Sequence, residues 1–221
     1  MLLWVEKGWL DYCVPQIYWE IGNRAADYKT LINWWAAHAD KRHLYIGEDV
    51  ERTVKNSDPQ RPSQHQQEAK HLLHQQLQPA VKGTVLWYAK AVVDNVGGYG
   101  DQLRTRYWRT PTLQPTMSYI SKTAPRRVKK LKAVWTSDGY MLFWTAPRGK
   151  DWKHEARQYV VYRFAKGEKV NTDDAAHIVA VTPNTFYKLP YEYGKAKYTY
   201  VVTALDRLHN ESKTRKRNVS L

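Results

Sequence analysis

The period of the apolar residues changes once along this chain. Up to about Ile120, short apolar runs alternate with stretches whose apolar residues recur at three- and four-residue steps, and after Pro125 the pattern is strand only. Alternating strands and helices build a parallel sheet with helical crossovers, whereas closely spaced strands separated by turn residues build a two-sheet sandwich. The chain is therefore expected to divide into residues 1–123, an α/β unit, and residues 124–221, an all-β unit.

In the first part, residues 9–19 form an apolar run rich in strand formers, with Pro15 removing one ladder donor. Residues 24–40 carry Tyr28, Leu31, Ile32 and Trp35 on one helical face. A second strand is expected at 43–47. Pro62 and Ser63 then open a helix with Ala69, Leu72, Leu73 and Leu77 as its apolar stripe. A third strand at 83–88 leads into helix 89–95, and a short helix follows around 101–108. Leu3 to Lys7 reads as a helix end capped by Gly8. Three β/α units cannot close a barrel, so these residues read as the trailing part of a larger domain. In the second part, strands are expected at 128–135, 140–144, 158–164, 177–181, 186–189, 197–206 and 215–221, separated by turns at Gly139, Gly149, Gly167, Asn184 and Gly194.

The formal charge of +14 is unevenly placed. Residues 1–123 hold 15 Lys+Arg against 12 Asp+Glu, a balance of +3, and residues 124–221 hold 20 against 9, a balance of +11. The excess gathers in Arg126, Arg127, Lys129, Lys130 and Lys132 and in Lys213, Arg215, Lys216 and Arg217. Basic residues on terminal strands of a sandwich form a solvated, edge-protecting face, so no nucleic-acid partner is expected. Ten Trp and sixteen Tyr against three Phe suit either a packed core or surfaces that meet sugars, because Trp and Tyr pair a flat apolar face with a hydrogen-bonding edge. The single cysteine, Cys13, excludes an intramolecular disulfide. No transmembrane segment is expected, and Met1 to Lys7 lacks the pattern of an export signal.

Phe143-Trp144-Thr145-Ala146-Pro147, Tyr159-Val160-Val161-Tyr162-Arg163 and Lys197-Tyr198-Thr199-Tyr200-Val201-Val202-Thr203-Ala204 resemble the second, third and sixth strands of fibronectin type III domains. The resemblance implies a buried Trp144 and a tyrosine corner at Tyr198, whose hydroxyl would bond to backbone. Trp4-Val5-x-x-Gly8-x-x-Asp11, Pro15-Gln16-Ile17-Tyr18-Trp19-Glu20, Leu44-Tyr45-Ile46-Gly47 and Leu113-Gln114-Pro115 resemble the glycosyl-hydrolase-like family ten of bacterial lipoproteins. That likeness implies the last three β/α units of a (β/α)8 barrel followed by a fibronectin type III-like sandwich. It also implies a cell-envelope or extracellular parent, a carbohydrate or glycan polymer as partner, and the missing N-terminal barrel half as a further partner.

Active sites of such barrels lie at the C-terminal ends of the strands. Gln16, Tyr18, Trp19 and Glu20 end the first unit, Gly47, Glu48 and Asp49 the second, Trp87 and Tyr88 the third. Glycoside hydrolysis usually needs two carboxyl groups, and Glu20 and Asp49 are the candidates. The alternatives are a loop carboxylate capping a helix for Glu20 and an acidic first helical turn for Asp49. Trp19 and Trp87 are candidate sugar platforms, and Gln16, Tyr18 and Tyr88 complete the candidate substrate-binding set. His65, His71 and His74, with Gln and Lys around them, read as a solvated helix face rather than a zinc site. No cofactor or metal is implied. The leading function is thus a C-terminal fragment of a carbohydrate-active glycoside-hydrolase-like protein, catalytically incomplete by itself. The competing function is a non-enzymatic module that binds glycan or protein.

Overall fold

A computed structural model describes residues 1–39, 41–149, 151–191 and 193–221. It divides into two compact units, Met1–Arg109 and Thr110–Leu221.

The first unit opens with helix α1 (Leu2–Lys7), which ends on Gly8 at φ 70. A side chain there would be strained by the left-handed backbone and would meet the Arg42 guanidinium at 2.1 Å. Strand β1 (Tyr12–Cys13) pairs in parallel with β2 (His43–Asp49), and β2 pairs in parallel with β5 (Val81–Trp87), giving the order β1-β2-β5. This small parallel sheet is all the strand order itself establishes of the implied barrel. The expected long first strand shrinks to two residues plus a bridge from Gln16 to Gly47. Pro15 donates nothing, and its carbonyl accepts from Gly47 N at 2.9 Å.

Helix α2 (Tyr28–His38) begins at Asp27, whose carboxylate accepts from Thr30 N, and buries Tyr28 and Ile32. Its expected end, Asp40, lies outside the described residues. Leu44 and Ile46 of β2 join Val5, Cys13, Ile17, Tyr28 and Ile32 in one apolar cluster on the helical side of the sheet. The opposite side is open. Tyr12, Val85 and Trp87 are 59 %, 49 % and 57 % exposed, and the Gly83 position faces the Tyr45 ring on that same side.

Helix α3 (Val50–Lys55) follows β2 directly. The helix expected from Pro62 instead begins at Gln67. Residues Arg61–His65 form strand β4 in a hairpin with β3 (Ser57–Asp58), because Asp58 accepts from Gln60 N and from Arg61 Nε and so closes a tight turn. Helix α4 (Gln67–Gln76) buries Gln67, Lys70 and His74, while Leu72, expected in the apolar stripe, is exposed. Helices α5 (Ala89–Val93) and α6 (Tyr99–Gln102) finish the unit, the latter continuing into a π-turn at Leu103–Tyr107.

The second unit is a sandwich of β6 (Lys129–Thr136), β7 (Gly139–Thr145), β8 (Gln158–Ala165), β9 (Ile178–Thr182), β10 (Phe186–Lys188), β11 (Lys197–Leu205) and β12 (Arg215–Ser220). One sheet runs β10-β7-β6 and the other β12-β11-β8-β9, all antiparallel. Between them lie Val128, Leu142, Trp144, Tyr159, Val161, Tyr200, Val202 and Ala204. That arrangement is the fibronectin type III-like fold the strand motifs imply. The outer face of β8 and β11 is buried as well, in a cluster of Val160, Tyr162, Phe164, Ile178, Val201 and Leu205 on which Leu113 packs. Met117 N donates to Leu208 O, and Asn210 Nδ2 donates to Ser121 O. These bonds attach residues 110–123 to the sandwich, so the compact units meet earlier than the expected division after residue 123.

Trp144 is 5 % exposed and meets the Tyr159 ring edge-on at 5.5 Å. The tyrosine corner departs from expectation. Tyr198 is half-buried, and among the described residues its hydroxyl has no hydrogen-bond partner; the Arg163 guanidinium covers its ring at 4.9 Å instead. Trp144→Ala should cost about 3–5 kcal/mol, whereas Tyr198→Phe should fall within about 0.5 kcal/mol of neutral. Urea unfolding of both variants checks this, and an equal cost for the two would contradict it. Limited proteolysis should release a resistant fragment beginning near Thr110, and recovery of one beginning near Ala124 would show that residues 110–123 are not held.

Candidate functional site

The three strand ends converge as neighbours. Gln16 bridges to Gly47, and Asp49 stands opposite Trp87 in the β2–β5 register. Gly47 allows this close approach, since a Cβ would stand 3.2 Å from Pro15 O and 3.6 Å from the Tyr18 ring. The Tyr18 ring therefore lies across β2 and stacks on Trp87, centroids 6.5 Å apart and planes 23° apart. Trp87 in turn lies 6.0 Å from Tyr88, whose hydroxyl donates to Glu51 Oε1 at 3.3 Å. Gln16, Trp19, Trp87 and Tyr88 are exposed. The strand ends thus present an open aromatic surface with a carboxylate beside it.

The two candidate acids differ in their surroundings. Asp49 Oδ1 accepts from Arg52 N at 2.9 Å, so this side chain caps α3 as well as ending β2. Glu20 stands on the loop after Tyr18 and Trp19, where Oε1 accepts from Asn23 Nδ2 at 2.7 Å and its carbonyl accepts from Tyr28 N. The Asn23 bond leads the influences that draw its carboxyl below the ordinary value, with Arg52 and Lys70 adding charge attraction. A general acid needs the opposite direction. As placed, Glu20 is an ionised acceptor that also organises the entry to α2.

Behind this surface lies a buried polar cluster that residue types alone do not announce. Glu48 projects to the helical side, where its Oε1 accepts from the Tyr28 hydroxyl at 2.6 Å. His74 Nε2 lies 2.8 Å from the same oxygen and 2.7 Å from the hydroxyl, so that nitrogen carries the proton. Thr84 Oγ1 faces His74 Nδ1 at 3.3 Å. Lys70, 1 % exposed, donates to Thr53 Oγ1 at 3.0 Å and Trp19 O at 3.2 Å, and stands over the Tyr28 ring. Burial pushes the Glu48 carboxyl up, but the His74 bond, the Lys70 and His74 charges and the Tyr28 bond outweigh it and hold it below the ordinary range. Burial lowers Lys70 against the attraction of Glu48, Asp49 and Glu20. Lys70 therefore links the cluster to the loop that carries Trp19 and Glu20.

The histidines are not the solvated face expected of them. His74 is buried in this cluster, His71 packs on Tyr107 at 4.1 Å, and His65 Nε2 bonds Gly97 O. The signal lay in spacing: Gln67, Lys70 and His74 recur at i, i+3 and i+7, a buried stripe written in polar letters, and Glu48 follows Leu44 and Ile46 in strand alternation. Among the described residues, no three His, Cys, Asp or Glu side chains form a metal-binding group, and no helix is long and apolar enough to cross a membrane.

An α/β unit whose strand ends carry aromatics and carboxylates is thus followed by a fibronectin type III-like sandwich. Residues 1–65 match the family described as Glycosyl hydrolase-like 10. The chain is 36 % identical over 216 residues, 97 % of its length, to Glycosyl hydrolase YngK of Bacillus subtilis, of which it spans 42 %. It is 50 % identical over 46 residues, 20 % of its length, to Glycosyl hydrolase DigH of Escherichia coli K12, of which it spans 10 %. The chain thus spans less than half the length of these relatives. A solved Fn3-like protein from Clostridium thermocellum is 28 % identical across 42 % of this chain and 92 % of its own, with a TM-score of 0.31. The sandwich assignment rests on strand order and register.

Because Glu48 is held below its unfolded value, its contribution is present above about pH 4.3 and is lost as pH falls through the folded value. Glu48→Gln should cost the first unit about 3–5 kcal/mol near neutrality, with less added loss on acidification than the parent shows. Urea titration read by hydrogen-exchange mass spectrometry, which reports each unit separately, checks both. An unchanged midpoint would mean that the cluster is dispensable.

Proposed function

We propose that residues 1–109 are the last three β/α units of a (β/α)8 barrel from a carbohydrate-active hydrolase, with the sandwich as its appended, non-catalytic module. The observation that carries this reading is the one-sided sheet: helices cover one face, and the other, with Tyr12, Tyr45, Val85 and Trp87, is open. All-parallel sheets are normally covered on both faces, and in a barrel the second face is the packed interior. The family match at residues 1–65 supports the same reading.

In this reading Trp87 and Trp19 offer apolar platforms to sugar rings, while Gln16, Tyr18 and Tyr88 hydrogen-bond hydroxyls. Asp49, opposite Trp87, and Glu20, on the loop after Trp19, are the carboxylates assigned to the reaction, and Glu20, ionised, acts as acceptor or base rather than proton donor. Their partners across the scissile bond belong to the barrel's other units. Opposed carboxyls must stand about 5 Å apart for retention or roughly 6.5–9.5 Å for inversion, held by a rigid shell, and three units with an open face do not supply that shell. The chain alone is then catalytically incomplete, and its natural partners are a glycan polymer and the remaining barrel units. A second reading, a non-enzymatic glycan-binding module, is favoured by the exposure of Trp19 and Trp87.

The purified 221-residue chain should show no glycoside hydrolysis, and supplying the remaining barrel units in trans should restore it. Asp49→Asn should then lower the restored turnover by roughly 10²-fold or more, and Trp87→Ala should weaken oligosaccharide binding about tenfold. Hydrolysis by the chain alone, lost on Glu20→Gln, would overturn this reading and make Glu20 the catalyst. Oligosaccharide binding without restored turnover would establish the binding module instead.

A further inference from the structure

The two basic clusters, far apart in sequence, meet in the fold. Strand β6 is one edge of its sheet and β12 one edge of the other, and the two approach each other along one side of the sandwich. Between them runs a groove of about 650 Å³. Arg126, Arg127, Lys129, Lys130, Lys213 and Arg215 line it, with Ala124, Pro125 and Val128. All six cations are exposed, and among the described residues none forms an ion pair. Among the described residues, no carboxylate lines the groove. Lys130 sits at φ 49 in a bulge that shifts the β6–β7 register between Lys129 and Lys132, a backbone state uncommon for lysine that re-aims side chains at the strand edge.

Edge protection alone explains scattered lysines on a free strand. It does not explain a concave seam in which two edges contribute unpaired cations around an apolar floor. We propose that this seam docks a linear acidic polysaccharide, its carboxylates meeting the cations and its sugar C–H faces resting on exposed Ala124 and the aliphatic stems of the Arg and Lys side chains. The apolar floor favours sugar rings over a bare polyphosphate. Single-stranded nucleic acid is disfavoured because its binding sites stack bases on aromatic side chains and the groove has none. The choice of a glycan rests on the reading of the first unit as part of a carbohydrate-active hydrolase.

The test is binding of the full chain to hyaluronate, to neutral dextran and to an oligo-dT strand, by calorimetry at low and raised salt. Hyaluronate should bind with an affinity that falls with salt, and dextran should not bind at the seam. The variant Arg126→Glu/Arg127→Glu/Arg215→Glu should lose at least roughly tenfold in hyaluronate affinity. The charge-matched control Lys7→Glu/Lys41→Glu/Lys82→Glu, on exposed positions of the first unit, should bind like the parent. A milder set, the same three arginines to Gln, with an unchanged circular dichroism spectrum, separates lost binding from lost folding. Equal losses in the seam and control variants would overturn the proposal, as would tighter binding of oligo-dT than of hyaluronate, or no hyaluronate binding at low salt. These outcomes are independent of turnover by the reconstituted barrel, so failure of the seam and failure of the hydrolase reading are told apart.

Discussion

A parallel sheet has two faces to cover, because its crossover helices leave no polar face to give to solvent. In the first unit only one is covered. Leu44 and Ile46 look into a core closed by Tyr28 and Ile32, while Tyr45 and Gly47 look out beside Val85 and Trp87. The asymmetry places the aromatics at the strand ends on a surface rather than in a core.

The covered face is held partly by polarity. Burying Glu48, Lys70 and His74 together costs desolvation that the interior repays only when hydrogen bonds are complete. Here the carboxylate takes Tyr28 and His74, and the ammonium takes Thr53 and the Trp19 carbonyl. An apolar replacement of similar volume would pack at least as stably. What it would not do is fix the loop from Tyr18 to Glu20, because Lys70 holds that loop through a directional bond to the backbone. The cluster thus couples helix α4 to the position of the aromatic surface.

The sandwich was legible nearly residue by residue because its signals are local and redundant. Its strands are short runs of strand formers closely bounded by turns, and Gly139, Gly167 and Gly194 adopt the positive φ that their turns demand. The first unit was legible where apolar letters marked the core, at β2, β5 and α2, and illegible where polar letters did. Lys70 and His74 read as solvent-facing since nothing in composition distinguishes a satisfied buried lysine from an exposed one. Pro62 read as a helix start because the turn made by Asp58 with Gln60 and Arg61 is a tertiary choice between two locally acceptable structures. Tyr198 failed for a related reason: strand position fixed its facing, but the partner of its hydroxyl depends on a connecting segment whose course the motif does not specify.

The two units treat their sheet edges differently, and the contrast bears on what each is built to meet. In the sandwich, β6 and β12 carry dense positive charge and β6 a bulge, devices that refuse another strand. In the first unit, β5 is a seven-residue strand of sequence VKGTVLW that, among the described residues, pairs with β2 alone and carries one charge near its start. A long, weakly charged edge next to an open apolar face lacks the devices that close β6 and β12. Strand addition at β5 would extend the sheet and cover Val85 from the side. That is the geometry by which further β/α units continue a barrel, and it supports the reading of this unit as one arc of a larger ring.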